Sequence, residues 1–202
     1  MGVFGKLFGG GKKVSKKSKE TRGKHMPDLK IPIDEKFTIY FKKNGGKFIY
    51  CENFKEIQNT LANIISENDW KNNFFYCKDE KLKERFSEEN ILLTPKLKNS
   101  DIFFTTCENL IAHDGSILVC SNQIEDNKLS ELPSNIIVFA YTSQLIDSIS
   151  EALKTIKNKY VNQIPGNITT LKHFQLTQEN KNDFLSYGST SKNVYLLLLE
   201  DY

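Results

Sequence analysis

Apolar and polar residues alternate along this chain in blocks that change period, and the blocks predict its elements. Phe37-Thr-Ile-Tyr-Phe41 and Lys47-Phe-Ile-Tyr-Cys51, separated by Asn44-Gly-Gly46, predict two strands around a tight turn. Asn53 caps a helix to about Asn68 that carries Phe54, Ile57, Leu61, Ile64 and Ile65 on one face. Residues 73–77 predict a strand, Asp79 a cap for a short helix with Leu82 and Phe86, and residues 90–93 a further short strand. The stretch 101–109 is ambiguous and can hold a short turn of helix before a strand at Leu110. Residues 116–121 and 135–140 read as strands. Leu145, Ile149, Leu153 and Ile156 recur at helical spacing, which predicts one helix over 142–159, with Lys154, Lys157 and Lys159 toward its negative end. Residues 160–187 are polar and irregular. The continuous apolar run 193–200 predicts a central strand buried on both faces. Strands alternating with helices predict an α/β fold with helices on both sides of the sheet.

Charge changes this picture only at the N-terminus. The net charge is +3, but residues 1–24 hold Lys6, Lys12, Lys13, Lys16, Lys17, Lys19, Arg22 and Lys24 against Glu20 alone. The rest of the chain is slightly acidic, so no basic face for nucleic acid is expected. Residues 1–30 read as a basic, Gly/Lys-rich flexible extension, and residues 31–202 as one folded domain. Val3, Phe4, Leu7 and Phe8 offer an alternative for the extension, a short amphipathic turn on an anionic membrane. Gly5 and Gly10 have P-loop spacing, but Gly11 stands where the lysine must be, which excludes that motif. Cys51, Cys77, Cys107 and Cys120 are far apart in sequence, with no histidine at metal spacing. No metal site and no iron–sulfur cluster held by this chain is expected, and a reduced, cytoplasmic compartment fits. No apolar window is long enough to span a bilayer.

Candidate chemistry gathers in three loops. His113, Asp114, Gly115 and Ser116 form a polar turn between apolar runs. There an imidazole or carboxylate can serve as general base or bind an anion, although Asp-Gly is also an ordinary turn pair. Thr142 and Ser143 open a predicted helix and cap it, with an anion at its N-terminus as the alternative. Gly188, Ser189, Thr190, Ser191 and Lys192 combine small hydroxyl residues with one cation, a pattern for phosphate or carboxylate or for a solvated loop. Glu108 is a further candidate carboxylate. His25 and His173 lie in polar segments and read as surface residues, and Trp70 as a packing anchor.

At these residues the chain resembles the LUD domain family, and within it the C component of bacterial lactate-utilisation systems. Leu110-Ile-Ala-His-Asp-Gly-Ser-Ile-Leu-Val119 is similar to the family's Ala-Ile-Ala-Glu-Thr-Gly-Thr-Leu-Val. Residues 132–145 are similar to its proline-led strand and Ser-Gln helix start, and residues 188–201 to its closing loop and strand ending in Leu-Glu-Asp. The resemblance implies a three-layer α/β/α sandwich like that of the sugar-phosphate isomerase and CoA-transferase superfamily. It also implies a role in oxidising L-lactate to pyruvate beside separate iron–sulfur subunits, with a small anionic ligand in the crevice. Three features depart from the family. His113-Asp114 stands where it has Glu-Thr, Thr170-Leu-Lys-His-Phe-Gln-Leu-Thr-Gln-Glu179 replaces its Gly-Pro-Ser-x-Thr-Ala-Asp-Ile motif, and Ser189-Thr-Ser-Lys192 replaces its His-Gly-Pro loop. The leading expectation is an accessory or ligand-binding component of a lactate-oxidation system. The alternatives are a catalytically silent interaction module and an independent isomerase or transferase using Asp114 or Glu108.

Overall fold

The computed structural model describes residues 31–89, 91–174 and 192–201. The readings of residues 1–30 as an extension and of Gly188, Ser189, Thr190 and Ser191 as a binding loop lie outside the described residues. The frame is a six-stranded parallel sheet. Its strands are β1 (Lys47–Cys51), β2 (Phe74–Tyr76), β3 (Leu92–Leu93), β4 (Ile102–Thr105), β7 (Asn135–Tyr141) and β10 (Asn193–Leu199), in the order β1-β10-β7-β4-β2-β3. A second sheet joins β8 (Leu145–Ile146), β5 (Asn109–Ile111), β6 (Ser116–Val119) and β9 (Thr169–Leu171) in that order, with β5 and β6 an antiparallel hairpin.

Strand period 2 sorts the central side chains between two cores. Ile137 and Phe139 of β7, with Tyr195, Leu197 and Leu199 of β10, pack under α2 (Phe54–Glu67) and α3 (Glu80–Arg85). Ile136, Val138 and Ala140, with Val194, Leu196 and Leu198, face the second sheet and Phe37 and Phe41 of α1 (Ile33–Lys43). α5 (Ile149–Lys159) backs the second sheet through Ala152 and Ile156. The result is the expected α/β/α sandwich, with α1 and the small sheet together making one outer layer. β10 is central and buried on both faces, as its continuous apolar run requires.

Three expectations are corrected. Residues 37–41 form part of α1, not a hairpin strand: Asp34, Phe37, Thr38 and Phe41 fall on one helical face and are buried. The Asn44-Gly45 pair ends that helix. Gly45 (φ 90°) donates to Lys42 O and Gly46 to Phe41 O, the bond pair of a Schellman cap. Residues 102–105 form strand β4, wholly buried, rather than a turn of helix. Residues 142–159 are not one helix. Thr142–Gln144 is a single 3-10 turn, Leu145 pairs with Leu110, and the helix begins at Ile149 with Ser148 accepting from Glu151 N.

Candidate functional site

The fold places the described candidate residues at opposite ends of the sheet. Chain direction through the β5–β6 hairpin brings its tip back to the amino edge. There Gly115 lies against the last turn of α1, and Asn44 donates to Asp114 O at 2.7 Å. The Asp114 carboxylate accepts from Ser116 N (3.2 Å) and Ser116 Oγ (2.6 Å) and pairs with Lys172 Nζ at 3.1 Å. Partial burial pushes its carboxyl up, but the bonds from Ser116 and Lys172 outweigh this and hold it below the ordinary value. His113 is exposed and donates its backbone N–H to Asp147 O. The described partners of Asp114 are Ser116 within the turn, Lys172 beyond β9 and Asn44 at the end of α1, and together they tie this loop down.

Lys192 also stands at the amino edge, just before β10. It is buried, and its Nζ donates to Leu132 O at 2.5 Å; burial pushes its amine down. Thr142 and Ser143 lie at the other edge, beyond the far end of β7, about 20 Å away along a seven-residue strand. The loops around His113 and Thr142 therefore do not converge.

At the carboxyl edge, an internal carboxylate occupies the position expected for an anion. Asp201 accepts from Thr142 Oγ1 (2.7 Å), Ser143 N (2.9 Å) and Ser143 Oγ. Slight burial pushes its carboxyl up, and the Ser143 and Thr142 bonds more than reverse this. Asp201→Ala is expected to cost about 1 kcal/mol, or roughly 2–4 °C in Tm, given the exposure of the site. Sulfate should then raise the variant's Tm more than the parent's, because the N–H and hydroxyl donors are vacated. Thermal unfolding with and without sulfate checks both outcomes.

Beside that carboxylate, a cavity of about 270 Å³ opens between α3 and the ends of β4 and β7, lined by Asp79, Lys81, Leu82, Arg85, Thr106, Phe139 and Tyr141. Ligands in open α/β sheets bind at this edge, where strands end and loops diverge. Asp79 is tied on both oxygens: one caps α3 by accepting from Leu82 N at 3.1 Å, the other accepts from Thr106 Oγ1 at 3.3 Å. Arg85 ends α3. Its guanidinium donates to Tyr141 OH and lies 5.1 Å from the Phe54 ring and 5.7 Å from those of Phe139 and Tyr141. These rings fix the plane of the fork while leaving the side chain exposed. Two cations against one committed carboxylate give the cavity a surplus of one positive charge. Arg85 and Tyr141 supply donors for a small carboxylate, the Thr106 hydroxyl being committed to Asp79.

Glu108 anchors a second polar cluster, where β4 hands over to β5. Its buried carboxylate accepts from Gln123 Nε2 (3.0 Å), Tyr160 OH (3.0 Å), Lys159 Nζ (2.9 Å) and Cys120 Sγ (3.3 Å). Burial alone would push its carboxyl up. The bonds from Lys159 and Gln123 and the Lys159 charge hold it below the usual range. Burial pushes the neighbouring Cys120 thiol up to about 11, so it is no nucleophile near neutral pH. The cluster joins the end of α5 to the hairpin and leaves Glu108 well supplied with donors, a structural arrangement.

Sequence reasoning missed Arg85, Thr106, Tyr141 and Asp201. Asp79 was legible as a helix cap, and Arg85 closes the helix it starts. Nothing in spacing showed that α3 opens onto the same edge as Tyr141.

A family model described as LUD domain matches residues 35–184. Among solved structures, that of a DUF162 family protein from Deinococcus radiodurans matches with a TM-score of 0.58 at 12% identity, over 84% of this chain and 96% of that one. At that identity the likeness shows a shared fold. No curated protein matches the chain.

Proposed function

The chain belongs to the LUD domain family, and we propose that it is a ligand-binding, accessory component of an L-lactate oxidation system, holding a small carboxylate at the Arg85 cavity while iron–sulfur partner subunits carry the electrons. One observation carries this reading: the carboxyl-edge cavity holds Lys81 and Arg85 against one tied carboxylate, with Tyr141 as a further donor. That donor set suits a three-carbon monoanion such as lactate or pyruvate. The cluster expected to carry catalysis, His113 and Asp114, sits at the far edge and serves the turn, which favours binding over turnover.

Millimolar L-lactate or pyruvate is expected to raise Tm by stabilising the native state, and Arg85→Met is expected to abolish the shift. No shift with either acid, or an undiminished shift in the variant, overturns this reading. A second reading, a catalytically silent interaction module, is favoured by Asp201 filling the anion position at Thr142 and Ser143. Co-purification separates the two: iron–sulfur dehydrogenase subunits support the first, unrelated partners without them the second.

A further inference from the structure

A second cavity, of about 370 Å³, lies on the opposite flank of α3, toward the sheet edge formed by β3. Phe86, Ile91, Leu93 and Phe104 make its apolar wall, and Glu84 and Glu89 are among its polar lining. The apolar surface continues outside it: Phe74, Leu92 and Leu93 are 49%, 44% and 48% exposed. β3 is bonded to β2 on one side, and among the described residues no strand lies on the other. Apolar surface of this kind at an open sheet edge favours an extended segment with large apolar side chains.

We propose that residues 3–8 of this same chain, which carry Val3, Phe4, Leu7 and Phe8, dock in this cavity, with Lys12 and Lys13 against Glu84 and Glu89 of its lining, whose own Lys83 is paired with Glu80. Three features select this occupant. The segment is the apolar part of a stretch otherwise basic, and it meets an apolar cavity with acidic neighbours. Its tether, residues 9–30, is long enough to reach. α1 packs over the β1 end of the sheet through Phe37 and Phe41 against Phe48, and the cavity lies at the β3 end on the opposite face, so the tether must cross the width of the sheet and pass around it. Twenty-two residues can reach up to about 70 Å when extended, enough for that path. The docking is independent of the Arg85 cavity.

The test uses the full chain with a photo-reactive benzoyl-phenylalanine in place of Phe4 or Phe8. Cross-links within one chain to Phe86, Ile91 or Leu93, at a yield independent of protein concentration, are expected. Cross-links mapping elsewhere, or only between chains, overturn the proposal.

Discussion

Gly115→Ala is expected to lower Tm by about 6–12 °C. Gly115 has φ 67°, where a side chain costs about 1–2 kcal/mol. The surroundings add to that cost. A Cβ there would lie 2.3 Å from Phe41 N and 2.4 Å from Tyr40 C, both main-chain atoms of α1. Backbone cannot rotate aside, so α1 must shift from the core that Phe37 and Phe41 help to fill, costing about 1–3 kcal/mol more. Gly115→Asn separates the two causes. Asparagine tolerates the left-handed region, so strain alone predicts rescue, whereas close approach predicts none. Close approach dominates here, and thermal unfolding of both variants should show similar losses. Near-parental stability of Gly115→Asn would contradict this.

Glu108→Ala is the second large effect, about 3 kcal/mol at neutral pH. It leaves Gln123, Tyr160 and Lys159 without their shared acceptor and cuts the tie between α5 and the β5–β6 hairpin. The Lys159 side chain is 61% exposed and can turn to water, which keeps the loss at the low end for a broken buried pair. The pH dependence has a definite sign. The folded state holds the Glu108 carboxyl below its ordinary value, so its contribution is full above the unfolded pKa of about 4 and fades as pH falls through the folded one. The stability gap between parent and variant, from denaturant unfolding, should therefore narrow on acidification. A gap that widens in acid would contradict this role.

These residues also show what a sequence reveals and what it hides. β10 and β7 were legible because strands buried on both faces have nothing to alternate, and a run such as Val-Tyr-Leu-Leu-Leu-Leu has few other uses. α1 was misread because Phe37, Ile39, Tyr40 and Phe41 favour strands locally, while tertiary packing rewards the i, i+4 pairing of Phe37 with Phe41. The helix signals were present: Pro32 ahead of the first turn, Asp34 and Glu35 within it, and Lys42 and Lys43 in the last. Ser148-Ile-Ser-Glu151 likewise marked the true start of α5, but the apolar spacing from Leu145 overrode it.

The candidate site was less legible for a geometric reason. His113, Asp114, Thr142 and Ser143 are near one another in sequence, yet successive strand passages carry the two pairs to opposite edges. Arg85 and Tyr141 are 56 residues apart and meet because α3 and β7 end at the same edge. Only strand order supplies that information.

The central claim is that Arg85 binds a small carboxylate, and composition makes it directly testable. The chain has two arginines, Arg22 and Arg85, so a ¹⁵N spectrum of arginine Nε–H groups holds two signals. Titration with pyruvate or L-lactate is expected to shift the Arg85 signal saturably and leave that of Arg22 in place. An Arg85 signal unmoved at millimolar ligand would contradict the assignment of this cavity.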